Sequence, residues 1–198
     1  MTLILASQSA GRLAMLRAAG VAVEAQPSAV DEDSIKAALI SEGAKPRDIA
    51  DSLAEAKALK VSRKFPGELV LGCDQILVTA ERQLLDKPHD EEMARAHLKL
   101  LSASTHRLIS AAVMFESGRP VWRMVDSANM TMRALSDQFI DDYVARYWSL
   151  IRHSVGCYRI EAEGAQLFSS VSGSQFTIIG LPLLPVLDYL RLRGKLPT

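Results

Sequence analysis

Four consecutive apolar residues, Leu3-Ile4-Leu5-Ala6, run into a serine-rich turn, Ser7-Gln8-Ser9, and then into helical spacing carried by Leu13, Leu16 and Ala19-Gly20. An apolar run of that length is the pattern of a buried strand, and the three-to-four spacing is that of a helix. The serines at the junction supply a helix cap. Strands that alternate with helices in this way belong to the α/β class.

The remainder keeps to that alternation. The pattern predicts a second strand over 21–27 and helix over 31–62 in two pieces that part near 43–46. Ile49, Leu53, Ala56 and Leu59-Lys60 would form the apolar stripe of the second piece. A buried strand over 69–74 ends in Asp74, and 76–78 with 83–85 reads as a hairpin about Glu81-Arg82. An amphipathic helix follows over 91–101, then two long strands over 107–116 and 121–132 with 117–120 as their turn. Ser136 caps a helix reaching about Tyr147. Short strands are expected after Gly156, a loop over 173–177 and a last helix over 184–193. The long strand pair adds antiparallel pairing to an otherwise parallel sheet. The expected architecture is a mixed twisted sheet with flanking helices, with residues 1–198 forming one domain of two lobes.

A chain of 198 residues buries about 70% of the surface of its unfolded state, so its core needs no covalent or metal staple. Cys73 and Cys157 stand far apart and neither is in a CxxC pair, which reads as two reduced thiols. Lys+Arg and Asp+Glu are 23 each, and this zero balance argues against a broad polyanion-binding surface and hence against a nucleic-acid partner. No stretch supplies the roughly 18 to 20 apolar residues that span a bilayer, the nearest being broken by Pro182, Pro185 and Asp188. The first residues lack the basic flank and long apolar core of a signal peptide. A soluble, cytoplasmic protein without a membrane partner is expected.

Two places could hold chemistry. At the first turn, backbone N–H groups, Ser7, Ser9 and the Arg12 guanidinium surround one point, and helix N-termini attract phosphate. The same serines serve equally as plain helix caps, with Arg12 solvated. At the second, Gly72-Cys73-Asp74-Gln75 closes a strand, and a carboxylate there can hold Mg²⁺, orient water or simply cap a turn. Lys57 and Lys87 each offer a point charge to phosphate or lie solvated at the surface. His89, His97, His106 and His153 are scattered, and no GxxxxGK[ST], GxGxxG, HExxH or GxSxG occurs. His106 reads as a structural hydrogen-bonding residue and Cys73 as a small packed hydrophobe.

Taken in order, the segments LILASQSAGR (3–12), Asp31-Glu32, LAEAKA (53–58), GCDQ (72–75), Lys87-Pro88, Leu98 to His106, GCYRIE (156–161), Gly173-Ser174 and GLPL (180–183) resemble the Maf family of nucleoside triphosphate pyrophosphatases, also called septum formation inhibitors. The resemblance spans essentially the whole chain. It implies a two-lobed α/β fold about a deep nucleotide-binding cleft, often as a homodimer. It also implies hydrolysis of a nucleoside triphosphate to monophosphate and pyrophosphate with a divalent cation, Mg²⁺ or Mn²⁺. Asp74 matches the family's catalytic carboxylate; Ser7, Arg12, Lys57 and Lys87 match its phosphate-binding positions. Glu32, with Asp74, matches its metal positions, and Gly11, Gln75 and Glu161 its specificity positions. Gln75 with Glu161 resembles the subfamily that acts on 7-methyl-GTP. A carboxylate accepts from guanine N1–H and N2–H₂, whereas uracil and thymine offer one donor flanked by acceptors. The family's Pro at 10 and large residue at 11 are Ala10-Gly11 here, which opens that loop. Two other readings are a nucleotide-sensing regulator of cell division that does not turn over and a broad-specificity housecleaning pyrophosphatase.

Overall fold

The structure, a computed structural model, describes residues 2–197. β1 (Leu3–Ala6) is buried at all four positions and pairs in parallel with β2 (Val23–Ala25) on one side and β3 (Leu69–Val78) on the other. A strand paired on both edges and buried at every position has no use for polar side chains, hence its unbroken apolar run. Between β1 and β2 runs α1 (Ala10–Ala18), whose cap Ser9 accepts from the Arg12 amide. Between β2 and β3 lie α2 (Glu32–Ser41) and α3 (Pro46–Ser62). Their break falls where expected. Gly43, at φ 72°, donates to the Ile40 carbonyl while Ala44 donates to Leu39, the paired bonds of a Schellman stop, and Pro46 starts the next helix with its φ already set.

The far end of β3 pairs antiparallel with β4 (Leu84–Leu85) through the Leu77–Leu85 and Val78–Leu84 registers. α4 (Glu91–Leu101) follows, then β5 (Thr105–Glu116) and β6 (Arg119–Met132). Their connection is the two-residue turn Ser117-Gly118, both at positive φ, rather than the four residues 117–120: the left-handed pair matches strand twist, so pairing resumes at Arg119. α5 (Asp137–Ile151), capped by Ser136, outruns the expected end at Tyr147 because Ile151 is still buried. Residues 156–162 are not strands. Cys157 sits at φ 58°, a left-handed position that breaks any ladder, and strand resumes only at β7 (Phe168–Ser172), after a 3-10 turn over Glu163–Leu167. The expected loop over 173–177 is replaced by α6 (Gln175–Ile179), where burial of Thr177 and Ile178 overrides their β-branched preference. α7 (Leu183–Leu192) ends the chain's regular structure.

The sheet runs β2-β1-β3-β5-β6-β7 with β4 on β3, parallel at β2-β1-β3 and antiparallel at β6-β7, so it is mixed as expected. Among the described residues no helix is long and apolar enough to cross a membrane. The chain divides into two compact units. The first takes the N-terminal residues to Gln75, then Ser110–Asp126, and everything from Gly180 on; the second takes Ile76–Ile109 and Ser127–Ile179. The second unit's core is built from Leu77, Leu98, Leu101, Met130, Ile140, Val144 and Leu167 with their neighbours.

His106 lies in that core, 1% exposed, its Nε2 2.7 Å from Tyr158 Oη and its Nδ1 without a hydrogen-bond partner among the described residues. It is the structural histidine the sequence indicates. Burial pushes its pKa down to about 4. An unfolded chain therefore takes a proton near pH 6.5 that the folded chain refuses, and the stability this represents, present in full above 6.5, is lost as pH falls toward 4. The whole loss amounts to roughly 3 kcal/mol. Urea midpoints are expected to drop between pH 7 and 4.5, and His106→Gln, which keeps a polar partner for Tyr158 but never charges, to flatten that drop. An equally steep drop in the variant would dissociate it from this histidine.

Candidate active site

The buried face of α3 is Ile49, Ala50, Leu53, Ala54, Lys57, Ala58, Val61 and Ser62. The stripe therefore turns away from the expected Ala56 and Leu59-Lys60. Lys60 is exposed and donates to the Ala29 carbonyl, while Lys57 faces the core in the i, i+4 series that starts at Ile49 and Leu53. Across from it, β3 presents Gly72. A Cβ on Gly72 would lie 2.1 Å from the Ala54 carbonyl oxygen and 2.7 Å from the Ala58 nitrogen, so helix backbone rests directly on strand backbone. Two residues along, on the same face of the strand, Asp74 meets Lys57.

The Lys57 ammonium lies 2.5 Å from Asp74 Oδ1 and 2.8 Å from Glu32 Oε2. Lys57 and Asp74 are each 6% exposed, whereas Glu32, in the first turn of α2, keeps nearly half its side chain in solvent. Two buried charges persist only because each answers the other. Desolvation dominates Asp74 and raises its pKa. Glu32 adds to the rise, while Lys57 and Arg12 oppose it. Asp74 is thus a stronger proton acceptor than a solvent carboxylate.

Arg12 is buried, not solvated. Its Nε donates to the Gly180 carbonyl at 2.7 Å, and its Nη1 donates to the Cys73 carbonyl at 3.2 Å and to Ser7 Oγ at 3.3 Å. Nη2 makes no hydrogen bond among the described residues. Ser7, also buried, accepts in addition from the Ser9 amide at 3.2 Å. The first turn is therefore both a cap and a buried cation seat. Gly11 occupies the second position of α1, partly exposed and without positive φ. Cys73 is fully buried with its thiol pushed up to about 11 by desolvation, which fits packing rather than nucleophilic attack. Gln75, on the opposite face of β3 from Asp74, donates from Nε2 to Ser110 Oγ of β5 at 3.0 Å.

Lys87 and Glu161 belong to the second unit. Lys87 is exposed beside buried Pro88. Glu161 is exposed on a loop that Arg159 and Glu163 fasten with bonds of 3.1 and 2.7 Å, and where Gly164 backs onto the Arg159 main chain. The structure thus gathers Glu32, Lys57 and Asp74 at one point in the first unit, with Arg12 in Coulombic reach and Ser7 bonded to Arg12. Of the supports, Ser110 has no place in the sequence reading, and Gly180 enters it only as the first residue of GLPL (180–183). Gly180 had a signal: at φ 117° it stands where only glycine sits easily, immediately before Leu181-Pro182.

Mg²⁺ is ordinarily held by one or two carboxylates and completed by water and substrate phosphate. Glu32 and Asp74 converge on one point with hard oxygen donors, which fits such a shared site. Among the described residues no group of three or more His, Cys, Asp and Glu forms a closed cage. The arrangement offers a base of raised pKa, fixed positive charge and oxygen ligands for a cation.

Residues 2–193 match the sequence model of the family described as Maf-like protein. A nucleoside triphosphate pyrophosphatase of Ruegeria pomeroyi is 52% identical over 99% of this chain and 98% of its own. A protein of the same name from Sphingopyxis alaskensis is 51% identical over the full length of both. A 7-methyl-GTP pyrophosphatase of Mesorhizobium japonicum is 50% identical over 98% of this chain and 97% of its own.

Gly72→Ala is the direct test of the backbone contact that sets this geometry. The added methyl forces α3 off β3, with an expected loss of about 3 kcal/mol or more, at the upper end of overpacking effects. A thermal midpoint equal to wild type would mean that α3 yields freely.

Proposed function

The chain belongs to the Maf-like family, and from that premise we propose that it hydrolyses a nucleoside triphosphate to the monophosphate and pyrophosphate, with Asp74 as general base. The observation that carries this reading is the buried Asp74, raised in pKa and bonded to Lys57 beside Glu32. The pyrophosphatase names of full-length relatives at about half identity support it.

In the proposed reaction a water oxygen forms a bond to the α-phosphorus and gives its proton to Asp74. The bond from that phosphorus to the oxygen bridging to the β-phosphate breaks, and pyrophosphate leaves with the electron pair. Lys57 and Arg12 place fixed positive charge against a substrate of about four negative charges, and Ser7 with the α1 N-terminus adds neutral donors. A divalent cation, Mg²⁺ or Mn²⁺, held through Glu32 and Asp74, supplies further neutralisation of the phosphate oxygens. Lys87 is proposed as an additional phosphate ligand. Gly11 and Gln75 are proposed, with Glu161, to set the base preference. The carboxylate of Glu161 favours guanine-type bases, and the positive ring of 7-methylguanine favours it further. The 7-methyl-GTP pyrophosphatase name of one full-length relative supports that preference. The reading sets the protein in the cytoplasm, where buried, unpaired Cys73 and Cys157 meet no oxidant.

Pyrophosphate release with Mg²⁺ or Mn²⁺ across the common nucleoside triphosphates and 7-methyl-GTP tests the reaction. Asp74→Asn is expected to lower turnover by about 100- to 10,000-fold while circular dichroism stays native. Retained turnover removes Asp74 from the role, and nucleotide binding without release by the wild type transfers the protein to sensing. Separately, Glu161→Gln is expected to reduce the ratio of kcat/KM for guanine-type over thymidine or uridine triphosphates. An unchanged ratio would clear Glu161 of base reading.

A further inference from the structure

Resting on the reading just given, we infer that Lys57 in the nucleotide-free protein fills the place a divalent cation takes between Glu32 and Asp74. The chain therefore binds free metal weakly and takes it up together with the nucleotide. The ammonium touches both carboxylates at once, 2.8 and 2.5 Å away. It is the neutralising cation of the pair as the chain stands alone. Arg12 supplies a second positive charge that Asp74 also feels. Two carboxylates against two cations leave the cluster with no net charge to draw a free metal ion from water. An entering ion must also displace Lys57 from at least one carboxylate, leaving a buried ammonium with half of its neutralising partners.

A nucleoside triphosphate removes both obstacles. It carries the metal already neutralised, and it brings oxygens that accept Lys57 as the carboxylates release it. The side chain suits that exchange. Its four-carbon stem can carry a point charge from carboxylate to phosphate without moving α3, and half-exposed Glu32 is free to turn. On departure of the products the ammonium falls back between the carboxylates and closes the site to the ion. Lys57 is thus a positioning residue for the metal as well as a ligand of phosphate.

The probe is Mn²⁺ alone, followed by its electron paramagnetic resonance signal at pH 8 with the full chain and no nucleotide. Lys57→Met is expected to bind Mn²⁺ about tenfold more tightly than wild type or better, and adding Glu32→Gln to that variant is expected to abolish the gain. Equal affinity in wild type and Lys57→Met overturns the inference, as does a gain that survives loss of Glu32. A second measurement uses wild type only, in case Lys57 variants fail to fold: millimolar Mg²⁺ without nucleotide should leave the thermal midpoint unmoved. A midpoint that climbs with Mg²⁺ means an open metal site and overturns the inference by itself. Neither experiment contains nucleotide, so absence of pyrophosphate release in the activity assay removes the reaction while these results still decide what Lys57 does.

Discussion

Backbone contact between α3 and β3 at Gly72 sets everything else in the first unit. With 2.1 Å between a hypothetical Cβ and the Ala54 carbonyl, no side chain fits there. The contact holds a helix face and a strand face near enough that residues just beyond it, Lys57 and Asp74, meet at hydrogen-bond distance. Were the two backbones a side chain further apart, the buried Asp74 would lose its direct hydrogen bond and its ionised form would be harder to keep. The glycine is consequently a requirement of the charge pair, not a relief from strain.

That pair is held in tension. Burial disfavours the ionised Asp74 while Lys57 and Arg12 favour it, and the outcome is a carboxylate whose pKa is raised but which keeps its ion pair. Water is largely kept from both partners, each 6% exposed. Glu32 is the exception, reaching in from a helix that buries none of its own residues. The site thus combines a rigid wall with one adjustable ligand.

Much of this was written in the sequence where the signal is local. The runs 3–6 and 69–74, the Gly43 and Pro46 punctuation, and the caps Ser9 and Ser136 each act within a few residues, and each appears in the structure in its place. Asp74, Lys57 and Glu32 were legible as members of a pattern. Their meeting at one point was not, because it depends on three elements packing together. The α3 stripe drifts in the sequence reading because the series steps from Leu53 to Ala56 and Leu59-Lys60, whereas the buried face steps by four to Lys57 and Val61. Following Ile49 and Leu53 by fours leads straight to Lys57, and a cation inside an apolar series was itself the clue. The short strands expected just after Gly156 and the loop expected over 173–177 differ from the structure because left-handed Cys157 interrupts the first segment and burial of Thr177 and Ile178 makes a helix of the second.

The seating of Arg12 carries a consequence for how the protein is made. Its three acceptors come from Ser7, Cys73 and Gly180. Ser7 is synthesised well ahead of Gly180, by roughly ten to forty seconds at ordinary ribosomal speeds. Until then the guanidinium has no carbonyl for its Nε, and burying it would leave a charged donor unanswered. The turn is therefore made long before its last acceptor exists. A prematurely terminated chain ending before residue 180 would carry Glu32, Lys57 and Asp74 in full and still lack the acceptor that seats Arg12.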